Sequence, residues 1–259
     1  MKSMVVVVAA LAAFGFVSSA NAADMPTKAP MLAPAPVYNW TGFYLGVDVG
    51  AGSVRQNADT VNPALNVFTN QAPDFVTLNS TNWMAGVYAG YNVQFNNVVA
   101  GVEADWSGSH FSASPVGPNN FNTTGLPVGS GSGTFSRTEN WIASLRARLG
   151  YTVSPMVLLY ITGGGAFTHI DYAGTNAFAG GCPNCGFMAI GSSVAGWTAG
   201  GGIEWAATPN WLLRAEYLHY AFNGTSTTVN FTGTTTPCCT YNFGRTNLDE
   251  GRVGIAYKF

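Results

Sequence analysis

Charge is what this 259-residue chain has least of: Asp, Glu, Lys and Arg together make up 8% of it, against roughly 25% in an ordinary soluble domain. A water-exposed globule of this size needs more charge to stay dispersed, so that class is excluded. No basic field exists either; the net charge of −2 argues against nucleic acid as a partner. Beyond the N-terminal region there is no apolar run near the roughly 18 residues that a membrane-spanning helix requires. Histidine is rare, with three residues, which leaves little material for a metal or general-base centre. No cofactor motif is present.

The chain is instead rich in glycine (32) and in Phe (16), Tyr (11) and Trp (7), and 47% of it is hydrophobic. Lys2, the apolar stretch 4–17 and Ala20-Asn21-Ala22 form the charged, apolar and small-residue parts of a secretory signal peptide over residues 1–22. Residues 23–39 carry Pro26, Pro30, Pro34 and Pro36 among alanines and read as an extended periplasmic linker. Residues 40–259 remain as one domain. An exported chain without a spanning helix can enter a bilayer only as a closed barrel, because lipid satisfies no open backbone groups.

The spacing predicts eight strands, near 41–54, 82–95, 98–111, 139–153, 156–172, 194–206, 211–222 and 247–259. Short connections (96–97, 154–155, 207–210) alternate with long ones (55–81, 112–138, 173–193, 223–246) rich in Gly, Asn, Ser and Thr. Short periplasmic turns alternating with long external loops are the pattern of an antiparallel up-and-down transmembrane barrel. Side chains keep a period of two. Strand eight sets Val253, Ile255, Tyr257 and Phe259 on one face and Glu250, Arg252 and Lys258 on the other.

Counted this way, eleven charges point inward: Asp48, Glu103, Asp105, Glu204, Glu216 and Glu250 against Arg146, Arg148, Arg214, Arg252 and Lys258. None falls in the middle of an outward row, where Arg or Lys would cost about 2–4 kcal/mol. The near-balance predicts a paired interior network. Trp83, Trp106, Trp141 and Trp197 lie near the loop ends, and Phe95, Tyr151, Trp205, Trp211, Tyr257 and Phe259 near the turn ends. These are two aromatic girdles.

Several stretches resemble the small outer-membrane immunogenic proteins of the porin-like superfamily, distant relatives of the OmpA transmembrane domain. They are Trp40-Thr-Gly-Phe-Tyr-Leu-Gly46, Gly101-Val-Glu-Ala-Asp105, Ser144-Leu-Arg-Ala-Arg-Leu-Gly-Tyr151, Gly196-Trp-Thr-Ala-Gly-Gly-Gly-Ile-Glu204, Arg214-Ala-Glu-Tyr217 and Arg252-Val-Gly-Ile-Ala-Tyr-Lys-Phe259. The resemblance covers the mature chain. It implies a bacterial outer-membrane location, surface exposure, antigenicity and envelope support without enzymatic activity. Expected partners are outer-membrane lipid and lipopolysaccharide, the barrel-insertion machinery through Tyr257 and Phe259, and surface or host ligands through the loops. A monomer is expected.

Three chemical alternatives are visible. Cys182-Pro-Asn-Cys185 and Cys238-Cys239 fall in two external loops of an oxidising compartment, which predicts two bridges between the loops. A Cys₄ zinc site would need a spacer that the second pair lacks. His110 and Ser112 share outward parity, and Glu139 has the same parity on the next strand, so a Ser-His-carboxylate lipid A hydrolase at that rim is the second alternative. A narrow ion path through the charged interior is the third.

Overall fold

A computed structural model describes residues 38–61, 74–113, 132–178, 182–230 and 237–259. The expected signal peptide and the linker as far as residue 37 lie outside the described residues. The strands are β1 Gly42–Val61, β2 Asp74–Phe95, β3 Val98–Ala113, β4 Ser132–Ser154, β5 Val157–Phe178, β6 Cys182–Ala206, β7 Trp211–Phe222, β8 Thr225–Asn230 and β9 Pro237–Lys258. Each pairs antiparallel with its neighbour in the order β1-β2-β3-β4-β5-β6-β7-β9, and β9 pairs with β1 to close the cylinder. Eight strands therefore make the wall. The short β8 pairs only with the outer part of β9, from Thr225 opposite Phe243 onward.

The turns at one end are tight because their residues suit them. Asn96 takes a left-handed φ of 54° between β2 and β3, a conformation Asn tolerates better than most residues. Asn210 and Trp211 donate their backbone N–H groups to Thr208 Oγ1 in the β6–β7 turn. At the other end the strands run further than expected from composition. β1 continues to Val61, β2 begins at Asp74, β4 at Ser132, β6 at Cys182 and β9 at Pro237. Polar Thr- and Asn-rich segments look like loops, yet once two legs of a hairpin are in register their backbone groups keep pairing past the membrane.

The closure has a definite stagger. Stepping between paired residues from Gly46 through Tyr88, Asp105, Ser144, Ala166, Gly196, Phe222 and Thr246 returns to β1 at Gln56, ten residues along. With about 3.3 Å per residue and about 4.8 Å between strands, eight strands with this stagger tilt by about 40°. The backbone cylinder then has a radius of about 8 Å, a space that side chains fill.

Alternation decides which chains do so. Along β7 the odd positions Trp211, Leu213, Ala215 and Tyr217 are exposed, and Leu212, Arg214, Glu216, Leu218, Tyr220 and Phe222 are buried. The outward rows carry large apolar residues, such as Leu45, Val47, Val102, Leu145, Ile161 and Ile255, that a soluble protein would bury. Inside, three layers stack. Trp40, Tyr44, Tyr88, Leu158 and Leu212 close the turn end; charged residues fill the middle; Met84, Phe111, Ile142, Leu218, Tyr220 and Phe222 close the loop end. Two tyrosines lie over glycines of the adjacent strand. A Cβ on Gly46 would lie 2.3 Å from Tyr88 Cζ, and one on Gly90 2.2 Å from Tyr44 Oη.

Register irregularities interrupt β4 near Glu139–Ile142 and again at Thr152–Ser154. Glu139 pairs with Phe111 and Ile170, whereas Ile142 pairs with Ser107 and Thr168; against β5 Asn140 and Trp141 stand opposite the single residue His169, and against β3, where Trp141 still pairs with Gly108, Ser109 and His110 stand opposite Asn140. Glu139 and Ile142 are consequently both buried despite opposite parity.

The lipid-facing assignment gives a direct expectation. Val102, 57% exposed in the middle of β3, replaced by Arg should destabilise the barrel in phospholipid vesicles by about 2–4 kcal/mol. Urea titration followed by tryptophan fluorescence measures it, and a loss well under 1 kcal/mol would mean that this wall does not meet hydrocarbon.

Candidate functional site

The central layer is built by cross-strand opposition. The β3–β4 register sets Glu103 against Arg146, β6–β7 sets Glu204 against Arg214, and β7–β9 sets Glu216 against Arg252. Opposite charges facing each other on one side of a sheet attract, and inside this cylinder they also meet across the lumen.

Glu103 is the hub. Its carboxylate accepts from Arg146 Nη2 at 2.5 Å, Arg214 Nη1 at 2.7 Å and Tyr44 Oη at 2.8 Å, with Arg148 Nη1 at 3.4 Å. Glu216 takes Arg252 through Nε at 2.7 Å and Nη2 at 2.6 Å, and also Tyr160 Oη and Arg146 Nη1. Arg148 reaches Glu204 at 3.0 Å. Asp105 receives Ser144 Oγ and lies 2.9 Å from Arg146 Nη2. Asp48 sits 3.4 Å from Arg252 Nη1. Aromatic faces cover two of the guanidiniums: Arg214 lies 3.4 Å from the Tyr88 ring centre and Arg148 4.1 Å from that of Tyr160. Each guanidinium is shielded from water, so losing one partner would leave an uncompensated charge.

Of the eleven inward charges expected, nine are brought together in this network. Glu250 is buried a step toward the loop end, beside Leu248 and opposite Leu218, and makes no ion pair among the described residues. Lys258 is corrected outright. It is the last residue of β9, below the apolar layer at the turn end, so its ammonium reaches out to Asn39 O at 2.6 Å and over the Tyr38 ring at 4.9 Å. Tyr38 is itself packed edge-on against the buried Trp40. Desolvation, reinforced by Glu204, lifts its phenol to about 12.

The Ser-His-carboxylate arrangement does not form. His110 and Ser112 are exposed, whereas Glu139 is buried in the lumen, where it accepts from Arg137 Nη2 and Thr168 Oγ1, each at 2.7 Å. The β4 bulge reverses the expected parity. The same bulge hid the buried Arg137–Glu139 ion pair, which strict alternation missed. Tyr44, Tyr88 and Tyr160 were also missed as members of the network; their signal was an inward tyrosine facing an inward glycine on the next strand. β6 begins at Cys182, and β9 includes Cys238 and Cys239, with Cys239 opposite Val229. The side chains of Cys182, Cys185, Cys238 and Cys239 lie outside the described residues. His169 and His219 each gain a carboxylate that spacing did not reveal, Asp171 and Asp249 respectively.

At the turn end Tyr257 packs at right angles to both Trp211 and Phe259, with centroids 5.3 and 5.1 Å apart, and Phe259 reaches Phe43. Trp83, Trp106, Trp197, Phe95, Tyr151, Trp205 and Trp211 are exposed on the outer wall, and Trp141, at the bulge, is half-buried.

A closed eight-stranded cylinder, greasy outside and ion-paired within, is a transmembrane β-barrel. Residues 9–259 match the family described as outer membrane protein beta-barrel domain, and the chain belongs to that family. It is 32% identical over 271 residues to the 31 kDa outer-membrane immunogenic protein of Brucella melitensis, with 100% of both chains covered. To the 25 kDa outer-membrane immunogenic protein of Brucella canis it is 32% identical over 265 residues, covering 100% of this chain and 99% of that one. The solved structure of the outer membrane protein OprG from Pseudomonas aeruginosa shares the fold, with a TM-score of 0.51, 11% identity and coverage of 86% of this chain and 98% of that chain. The protein is an outer-membrane β-barrel of a bacterial envelope.

The two kinds of interior carboxylate separate in one experiment. Glu103→Gln, which strips three guanidiniums of their shared partner, should cost about 3–5 kcal/mol in a urea titration in vesicles. Glu250→Gln should stay within about 1 kcal/mol of the parent, because no cation is orphaned. Equal losses at the two sites would dissolve the distinction.

Proposed function

We propose that the protein is a non-enzymatic, monomeric structural barrel that supports envelope integrity and presents its external hairpins for interaction or adhesion. The observation that carries this reading is the filled lumen. The charged layer lies between two apolar layers, one at Trp40, Leu158 and Leu212 and one at Phe111, Ile142 and Phe222. An ion following the charges would have to shed its water at both ends, which weighs against a narrow channel. The inward position of Glu139 weighs against a rim hydrolase acting through Ser112. The outer extension of β1, β2, β4, β5, β6 and β9 favours rigid surface display, and the word immunogenic in the relatives' names supports exposure at the cell surface. In this reading Tyr257 and Phe259, aromatic and exposed at the turn end of the outer wall, are what the insertion machinery grips.

A strain lacking the protein should become sensitive to detergent and chelator and recover on complementation; unchanged resistance would sink the structural role. In planar bilayers the folded protein should be silent, and regular single-channel steps would instead establish a conduit. Removing Phe259 should slow assembly, seen as accumulation of the form whose gel migration does not change on heating, without altering the stability of barrels already inserted.

A further inference from the structure

On the outward rows of β6, β7 and β9 small residues surround Tyr217: Gly201 and Gly251 pair with it on either side, and Ala215 lies two residues before it. Gly201, Ala215 and Gly251 leave a depression of about 600 Å³ on the outer wall, flanked by Val49, Ile203 and Val253 and bounded by Tyr217. A Cβ added at Gly251 would meet no atom within 4 Å. The groove therefore opens from the apolar belt and is not filled by the barrel's own side chains.

Its loop-side end is polar. The Tyr217 phenol donates to Asp249 Oδ1 at 2.6 Å, and His219 Nδ1 lies 2.8 Å from the same oxygen. The carboxylate is nonetheless 40% exposed. The exposed Trp197 indole stands 5.5 Å from the His219 ring. The neighbouring rows change character in step: Ala51 pairs with Gly251, Ser53 with Asp249 and Arg55 with Asn247. Arg55 is close enough to Asp249 for the two charges to interact. Arg245, also exposed, follows on β9. Among the described residues, both outward-facing arginines stand on these two adjacent strands. The apolar groove thus runs into an aromatic ring, a carboxylate held by two donors, and two guanidiniums.

We propose that the groove and its rim seat one outer-leaflet glycolipid with a phosphorylated sugar headgroup. The acyl chain lies over Gly251 and Ala215, alongside the Tyr217 ring. The apolar face of a sugar ring meets Trp197, and its hydroxyls meet Asp249 and His219. A phosphate faces Arg55 and Arg245, since guanidinium forks suit phosphate oxygens. A carboxylate beside a bare phosphate would repel it, so a headgroup offering hydroxyl donors as well as phosphate fits this rim better than a simple anionic phospholipid does. The inference rests on the proposed orientation, with the hairpins at the cell surface, and adds a specific lipid to it.

The test uses the mature protein in detergent with three probes: purified lipopolysaccharide, phosphatidylglycerol and phosphatidylethanolamine. Bound lipid is read by native mass spectrometry and by Trp197 fluorescence in a variant series. Lipopolysaccharide should bind at least about tenfold more tightly than either phospholipid. Arg55→Gln with Arg245→Gln, and separately Gly251→Phe, should each weaken it by about tenfold while heat-modifiable migration is kept. Phosphatidylglycerol binding as well as lipopolysaccharide, or either folded variant binding like the parent, would overturn the proposal. So would a dimer in detergent that Gly251→Phe dissociates, because the groove would then belong to a second copy. An envelope phenotype absent from the deletion strain would undo the structural role and leave these affinities untouched, so the two failures are distinguishable.

Discussion

A backbone amide has no partner in hydrocarbon, and the whole architecture follows from that. Every strand that enters the bilayer must give its N–H and C=O groups to another strand. The last strand can do so only by returning to the first, as β9 does against β1 from Tyr44–Lys258 outward. Once the ladder closes with a stagger of ten residues, tilt, radius and the direction of each side chain are set together. The outside must be apolar because it is solvated by lipid, and the inside is left as the place where polar residues can lie.

Being left inside does not make a charge comfortable. A cylinder about 8 Å in radius is too narrow to keep its charges hydrated once both ends are closed. The interior answers with multiplicity: one carboxylate, Glu103, holds three guanidiniums and a phenol, and aromatic faces cover two of those guanidiniums. Such an arrangement is weak evidence for net stability, since well-packed apolar chains could fill the same volume. Its effect is specificity. A one-residue slip of a charge-bearing strand such as β3, β4, β7 or β9 would turn its charges onto lipid, so the network penalises such slips.

Much of this was legible from residue order. Period-two alternation, long and short connections in turn, and the absence of charge from outward mid-strand positions define an eight-stranded barrel without coordinates. The same alternation picked out Asp48, Glu103, Asp105, Arg146, Arg148, Glu204, Arg214, Glu216 and Arg252 as interior. It failed where geometry departs from strict pleating. At Asn140 and Trp141 an extra residue reverses parity, which turned Glu139 from an imagined surface group into the partner of Arg137. At Lys258 parity was right but depth was not, because a strand's last residue has left the layer its face belongs to. Strand ends were misjudged where Thr- and Asn-rich segments keep pairing beyond the membrane, as in β6 from Cys182.

By itself the sequence determined the compartment, the strand count, the identity of the lipid-facing and lumen-facing rows and the family. These depend on local pattern and on what a bilayer tolerates, both of which are written one residue at a time. Only the tertiary structure decided who pairs with whom across the lumen, that apolar layers seal both ends, that Glu250 makes no ion pair among the described residues, and that Tyr217, His219 and Asp249 meet above a groove on the outer wall. Those outcomes depend on the stagger and on local bulges such as the one on β4, which arise from closing the whole ladder and from no one segment of the chain.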